Sequence, residues 1–268
     1  MSVTTNGSLS LIALRCGAIN ADTGLLYRGE LSDERADIPV MCFAVVHPEG
    51  VVVFETGMNP EVRRDPIEYW GPTAKSVLVP VCTDDDDVTA RLAQAGVALT
   101  DVRYVVNSHL HNDHAGMNRY FPDTTVVVRT SEYEHAVAQM DQRFTGYLSH
   151  DFTGDDVAPH PIEYDDTHDV YGDGAITLVS TIGHTPGHQS MRVGFPSGRA
   201  FVLTGDAMYR RVSLCTADPP GVLWDRDHAV ASIHKIAAME AAGDTVLVNH
   251  DPGDWSECTD TLVVHREG

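Results

Sequence analysis

Directly after an apolar run ending at Val106, the chain packs three imidazoles and a carboxylate into six positions, His109-Leu110-His111-Asn112-Asp113-His114. Side chains alternate along an extended segment, so His109 and His111 can leave the end of a strand toward the same space. Asp113 and His114 fall on the turn that follows and can face a second point beside the first. Imidazole nitrogen and carboxylate oxygen suit zinc and comparable divalent metals. The fold must therefore be one that gathers strand ends around cations.

Further ligand-type residues sit at the ends of later strand-like runs. Gly183-His184-Thr185-Pro186-Gly187-His188 follows the run 176–179, Leu203-Thr204-Gly205-Asp206 ends another, and Val248-Asn249-His250-Asp251 ends a third. Loops carried on a rigid scaffold are where functional groups collect. Other β-branched runs at 9–14, 40–46, 51–54, 104–106 and 125–128 read as strands between Gly, Pro and Asp turn signals. Val88, Leu92 and Ala95 keep helical spacing before a stop at Gly96. Ser131 followed by Glu134 has the pattern of a capping box that starts a second helix.

The second half repeats this order, with strands at 176–179, 191–195, 201–203 and 246–248 around a helix from 227 to 242 that Gly243 ends. Such an order predicts sheets stacked face to face and covered by helices. No linker rich in Pro, Gly or Ser separates the halves, so residues 1–268 are expected to form a single domain.

A chain of 268 residues with 43% hydrophobic composition supports a sizeable core. Its formal net charge of -21 repels nucleic-acid phosphates and anionic headgroups, which excludes both as partners. No run approaches the roughly 18 apolar residues that cross a bilayer, and no basic segment leads into an apolar stretch at the N-terminus. The expectation is a cytoplasmic protein. Five scattered cysteines, Cys16, Cys42, Cys82, Cys215 and Cys258, contain no C-x-x-C pair and read as reduced packing thiols. The acidic run 84–87 precedes a helix whose N-terminus favours negative charge. The segment 141–173 reads as a polar loop region bordering the site.

The succession H-x-H-x-D-H, H-T-P-G-H, a strand-terminal Asp and a late His resembles the metallo-β-lactamase superfamily over most of the chain. The resemblance implies a four-layer αββα sandwich of α/β (α+β) class with metals at the edge of its two sheets. It assigns His109, His111 and His184 to one ion and Asp113, His114 and His250 to the other, with Asp206 bridging them. Within the superfamily, Gly205-Asp206-Ala207-Met208-Tyr209 and Gly-His-Thr-Pro-Gly-His-Gln-Ser at 183–190 look like the N-acyl-homoserine lactonases. Two positions depart from the pattern. Glu55-Thr56-Gly57 stands where the family has Asp-Thr-Gly, and Asn112 stands where several lactonases carry an aromatic residue. His188 is expected to orient its neighbours rather than bind metal.

The implied activity is lactone ring opening by a dinuclear hydrolase that takes a small-molecule lactone or ester, with quorum quenching as the implied setting and a catabolic route equally compatible with the site. Two close cations lower the pKa of a bridging water enough to yield hydroxide near neutral pH. Tyr209 is the implied donor to the developing oxyanion, and Asp113 the implied acid for the leaving ring oxygen. Zinc is the default for this donor set, and iron, manganese or cobalt fit it too. Another lactone, an ester or a thioester fits the same site, and the sequence leaves monomer and homodimer both open. A diiron oxidoreductase of the same fold would show Glu in place of His111 and a flavin domain for which the chain has no room. A non-catalytic metal-binding protein would show gaps in the ligand set, and none is present.

Overall fold

A computed structural model describes residues 8–142, 145–154, 157 and 159–267. The strands are β1 (Leu9–Asp22), β2 (Arg35–His47), β3 (Gly50–Phe54), β4 (Leu78–Val81), β5 (Val102–Val106), β6 (Thr125–Arg129) and β7 (Pro159–Ile162) in the first part of the chain. They continue as β8 (Thr167–Asp169), β9 (Ile176–Ser180), β10 (Gln189–Gly194), β11 (Ala200–Leu203), β12 (Thr245–Leu247) and β13 (Thr261–Glu267). The helices are α1 (Thr23–Arg28), α2 (Pro66–Trp70), α3 (Val88–Gln94), α4 (Thr130–Gln139), α5 (Ser149–Phe152), α6 (Ser213–Thr216) and α7 (Arg226–Ala241).

The strands form two mixed sheets. An eight-stranded sheet runs β13-β1-β2-β3-β5-β6-β7 with β4 also on β1, and a five-stranded sheet runs β12-β11-β10-β9-β8. Strand alternation divides the apolar residues between faces. Met41, Phe43 and Val45 of β2 join Phe54, Leu178, Met191 and Leu203 in the core between the sheets. Val40, Cys42, Ala44 and Val46 turn to the opposite face, where Val88 and Leu92 of α3 cover them. On the outer face of the smaller sheet, Ile233 and Ile236 of α7 pack on Val202 and Val246. This is the αββα layering the sequence predicts. Each sheet is apolar on both faces because each is covered twice.

Local signals fare unevenly. Asp87 ends the acidic run as the N-cap of α3, accepting from the Ala90 N–H at 2.8 Å. Gly96 follows α3 at φ 75°, and Gly243 lies just past α7 at φ 112°, both conformations that glycine reaches without steric cost. The capping box at Ser131 does not form. The N-cap of α4 is Arg129 without a side-chain bond, and the Ser131 hydroxyl instead donates to the Pro186 carbonyl at 3.5 Å. Segment 141–173 holds α5, β7 and β8, which its polarity hid; residues 143–144, 155–156 and 158 of it lie outside the described residues.

Strands β3, β5 and β6 are parallel neighbours, as are β11 and β12. The carboxyl ends of β3, β5, β9, β11 and β12 lead into Glu55, the histidine run, His184, Asp206 and His250 respectively. The topology thereby delivers residues far apart in sequence to one edge of the sandwich.

Candidate metal centre

His109, His111 and His184 converge with ring nitrogens 2.9 to 3.2 Å apart. Asp113, His114 and His250 form a second group able to hold an ion, with the Asp113 carboxylate 3.6 Å from His114 Nε2 and 3.7 Å from His250 Nε2. Asp206 stands between them. Its Oδ2 lies 3.3 Å from His184 Nε2, while Oδ1 lies 3.3 Å from His114 Nε2 and 3.1 Å from His250 Nε2. One carboxylate thus presents an oxygen to each group.

The donor set fits a pair of cations. His184 Nδ1 lies 2.8 Å from the Val222 carbonyl and His250 Nδ1 lies 2.7 Å from the Pro39 carbonyl. A carbonyl only accepts, so in both rings the proton sits on Nδ1 and the Nε2 lone pair points inward. Metal-binding histidines are commonly held this way by their outer nitrogen. The inward lone pairs face the oxygens of Asp206, and Oδ1 is buried without a hydrogen-bond partner. Acceptors crowded against one another in a dry interior are repulsive unless a cation lies among them. Burial, reinforced by the neighbouring imidazoles, holds His109 and His111 well below the usual histidine range, which keeps their lone pairs available.

His188 has both nitrogens engaged. Nε2 accepts from the Asp206 backbone N–H at 2.9 Å, and Nδ1 lies 3.0 Å from the Thr181 carbonyl. It orients the Asp206 loop. Gly205 makes that approach possible: its φ is 53°, and a Cβ there would fall 2.8 Å from His188 Nε2 and 2.7 Å from Ser108 Cβ.

Glu55 is buried at the end of β3 with φ 66°, a conformation that costs a non-glycine residue about 1–3 kcal/mol. This bend lets its carboxylate accept from the Ser108 N–H at 3.2 Å and stand 3.4 Å from His114 Nδ1. The extra methylene relative to aspartate still reaches the ligand ring.

Sequence reasoning missed Glu132. This wholly buried carboxylate of α4 accepts from the Leu110 N–H at 3.0 Å, the Thr185 hydroxyl at 2.5 Å, the Gly187 N–H at 3.3 Å and the Tyr147 hydroxyl at 3.0 Å. It ties the loop carrying His109 and His111 to the loop carrying His184. Tyr147 in turn packs against His111 with ring centroids 4.6 Å apart and the rings tilted by 55°. A Cβ on Gly187 would fall 2.2 Å from the Glu132 backbone nitrogen, so glycine is what lets loop and helix meet.

Tyr209 is buried between His184 and His250, with ring centroids 5.9 and 5.7 Å away. Burial, with Asp206 and Asp113 nearby, pushes its hydroxyl well above the usual range, so it remains a donor. A cavity of about 560 Å³ opens over the cluster; His111, Asp113, His184, Asp206, Tyr209 and His250 are in its wall. Away from that cluster the lining is mostly apolar, including Ile19, Leu25, Leu26, Ile38 and Leu78.

Residues 35–260 match the family model of the metallo-beta-lactamase superfamily. The chain belongs to that superfamily. Among its metallo-beta-lactamase relatives, the N-acyl homoserine lactonase AttM of Azorhizobium caulinodans is 33% identical over 250 residues, covering 92% of this chain and 95% of that one. AttM of Agrobacterium fabrum is 34% identical over 251 residues, with the same coverage of 92% and 95%. A solved N-acyl homoserine lactone hydrolase, with its product N-hexanoyl-L-homoserine bound at the catalytic metal center, superposes with a TM-score of 0.78 at 25% identity. That match covers 97% of this chain and 98% of the other. This chain and that hydrolase therefore share the metallo-beta-lactamase fold. Among the described residues, no helix is long and apolar enough to cross a membrane.

Proposed function

We propose that this protein is a dinuclear metal-dependent lactonase that opens the ring of N-acyl homoserine lactones. The observation that carries the reading is Asp206, one oxygen toward each of two histidine groups, with Tyr209 beside it under an aliphatic cavity. The AttM relatives at 33% and 34% identity support the choice of substrate.

His109, His111 and His184 would hold one ion, Asp113, His114 and His250 the other, and Asp206 both, with zinc the first choice for such donors. When bound, the ions supply a nucleophile from water near neutral pH and polarise the lactone carbonyl. Tyr209, protonated because it is buried, donates a hydrogen bond to the carbonyl oxygen as negative charge grows there. Asp113, at the cavity wall, takes the proton released from water and gives it to the ring oxygen as the ester C–O bond breaks. Water is thereby added across that bond, giving an N-acyl homoserine whose new carboxyl group releases its proton to solvent near neutral pH. The aliphatic wall takes the acyl chain, each buried methylene contributing about 0.8 kcal/mol.

The pairing of β1 with β13 supports reading residues 1–268 as one hydrolase domain, and the unpaired cysteines support a reducing cytoplasm. The deciding experiment is ring opening of short- and long-chain N-acyl homoserine lactones by the zinc-loaded protein, followed by proton release and product mass. Activity that disappears on chelation and returns with metal is expected. Two bound ions with no hydrolysis of any lactone would sink the substrate assignment while leaving the metal centre standing.

A further inference from the structure

Among the described residues, the cavity over the metal centre is lined by one polar residue whose side chain has no hydrogen bond. Besides the metal ligands and Tyr209, Asn112 and Thr145 line it among apolar neighbours. The Thr145 hydroxyl is spent on the Gln139 and Gln142 carbonyls, each at 3.1 Å. The Asn112 backbone N–H donates to the Gly146 carbonyl at 3.0 Å, which fixes the main chain there. The Asn112 carboxamide, half-buried, has no hydrogen-bond partner among the described residues. Asn112 and Gly146 also face a second cavity of about 420 Å³ bordered by Tyr69, Asp141 and His150.

Two facts put Asn112 at the acyl group. It lines the cavity together with His111 and Asp113, so it stands beside the reacting end rather than the tail. The aliphatic residues that suit the tail come from β1, α1, β2 and β4. A saturated chain pressed on Asn112 strips water from two donors and an acceptor and returns nothing. A chain bearing oxygen near the amide restores the bond. Leaving a buried polar group unpaired costs more than a made bond gains, and sites with such groups discriminate sharply against the analogue that lacks the partner.

Resting on the lactonase reading, we propose that Asn112 selects acyl chains carrying a keto or hydroxyl oxygen on the carbons next to the amide. The carboxamide N–H donates to a keto oxygen, and its carbonyl accepts from a hydroxyl.

The test compares kcat/KM for N-acyl homoserine lactones of equal chain length, unsubstituted, 3-oxo and 3-hydroxy, in the parent, Asn112→Leu and Asn112→Ala. Metal content serves as the check on folding. The parent should favour the oxygenated substrates by roughly ten-fold, and both variants should bring the ratio to within about two-fold. Calorimetric Kd values for the ring-opened products, with and without the 3-hydroxyl, should show the same preference and its loss without requiring turnover. An unchanged ratio in the variants, or no preference in the parent, overturns the proposal. So does an equal loss on all substrates, which would mean that Asn112 reads the amide common to them. Selective product binding without hydrolysis would overturn the lactonase reading and leave the role of Asn112 intact.

Discussion

On the proposed reading Asp206 supplies the charge of the site and Tyr209 a hydrogen bond, and their substitutions separate the two. Asp206→Asn keeps the shape and removes the anion that faces both histidine groups. Metal content and activity should fall together, from about two ions per chain to one or fewer, as read by elemental analysis. Full occupancy in this variant would remove Asp206 from the bridge. Tyr209→Phe deletes a donor and leaves every ligand in place. Turnover should drop on the order of a hundred-fold with metal content unchanged. An unaltered kcat would reduce Tyr209 to packing between His184 and His250. Glu55 is a subtler case at this scale: its left-handed backbone is strain spent to bring a carboxylate beneath His114, and the sequence alone shows only the substitution of Glu for Asp.

Between the residue and the fold lie the loops, and Glu132 of α4 holds two of them. Its four donors come from Leu110, Tyr147, Thr185 and Gly187. Glu132→Ala leaves those buried groups unanswered, a loss of about 3 kcal/mol, so thermal denaturation should show Tm lower by roughly 5–10 °C. Metal affinity should weaken as well, because the loops it joins carry His109, His111 and His184. Glu132→Gln retains an acceptor of the same shape and should recover part of both. Wild-type stability in the Ala variant would contradict this account. The expected capping box at Ser131 drew attention to Glu134, which is exposed, whereas the neighbouring Glu132 points inward. A capping pattern is local, but the direction of a helix face depends on what the helix packs against.

At the scale of the whole molecule, pH acts through a group outside the metal centre. Asp151 of α5 is fully buried. The Tyr69 hydroxyl donates to its Oδ1 at 2.6 Å, Oδ2 has no hydrogen-bond partner among the described residues, and His150 Nε2 stands 3.9 Å from Oδ1. Burial pushes its carboxyl up to about 8 against the Tyr69 bond and Arg119, with Asp141 adding to the rise. The folded state therefore holds a proton that the unfolded chain releases above its ordinary 3.8. The stability linked to that proton is complete below the unfolded value and is lost as pH rises through about 8. Asp151→Asn is neutral throughout. Its Tm relative to the parent should become more positive between about pH 5 and pH 9; a difference independent of pH would exclude Asp151 as the source. The sequence by itself determined the ligand types, their places at strand ends and the layered fold, because strand alternation and the spacing of His109, His111, Asp113 and His114 are short-range properties. Tertiary structure alone decided which oxygen of Asp206 faces which histidines, that Glu132 braces the loops of His109, His111 and His184, and that the Asn112 carboxamide has no hydrogen-bond partner among the described residues in a mostly apolar cavity. Those outcomes depend on contacts between residues far apart in the chain, whose directions are set only when both sheets and their covering helices have packed.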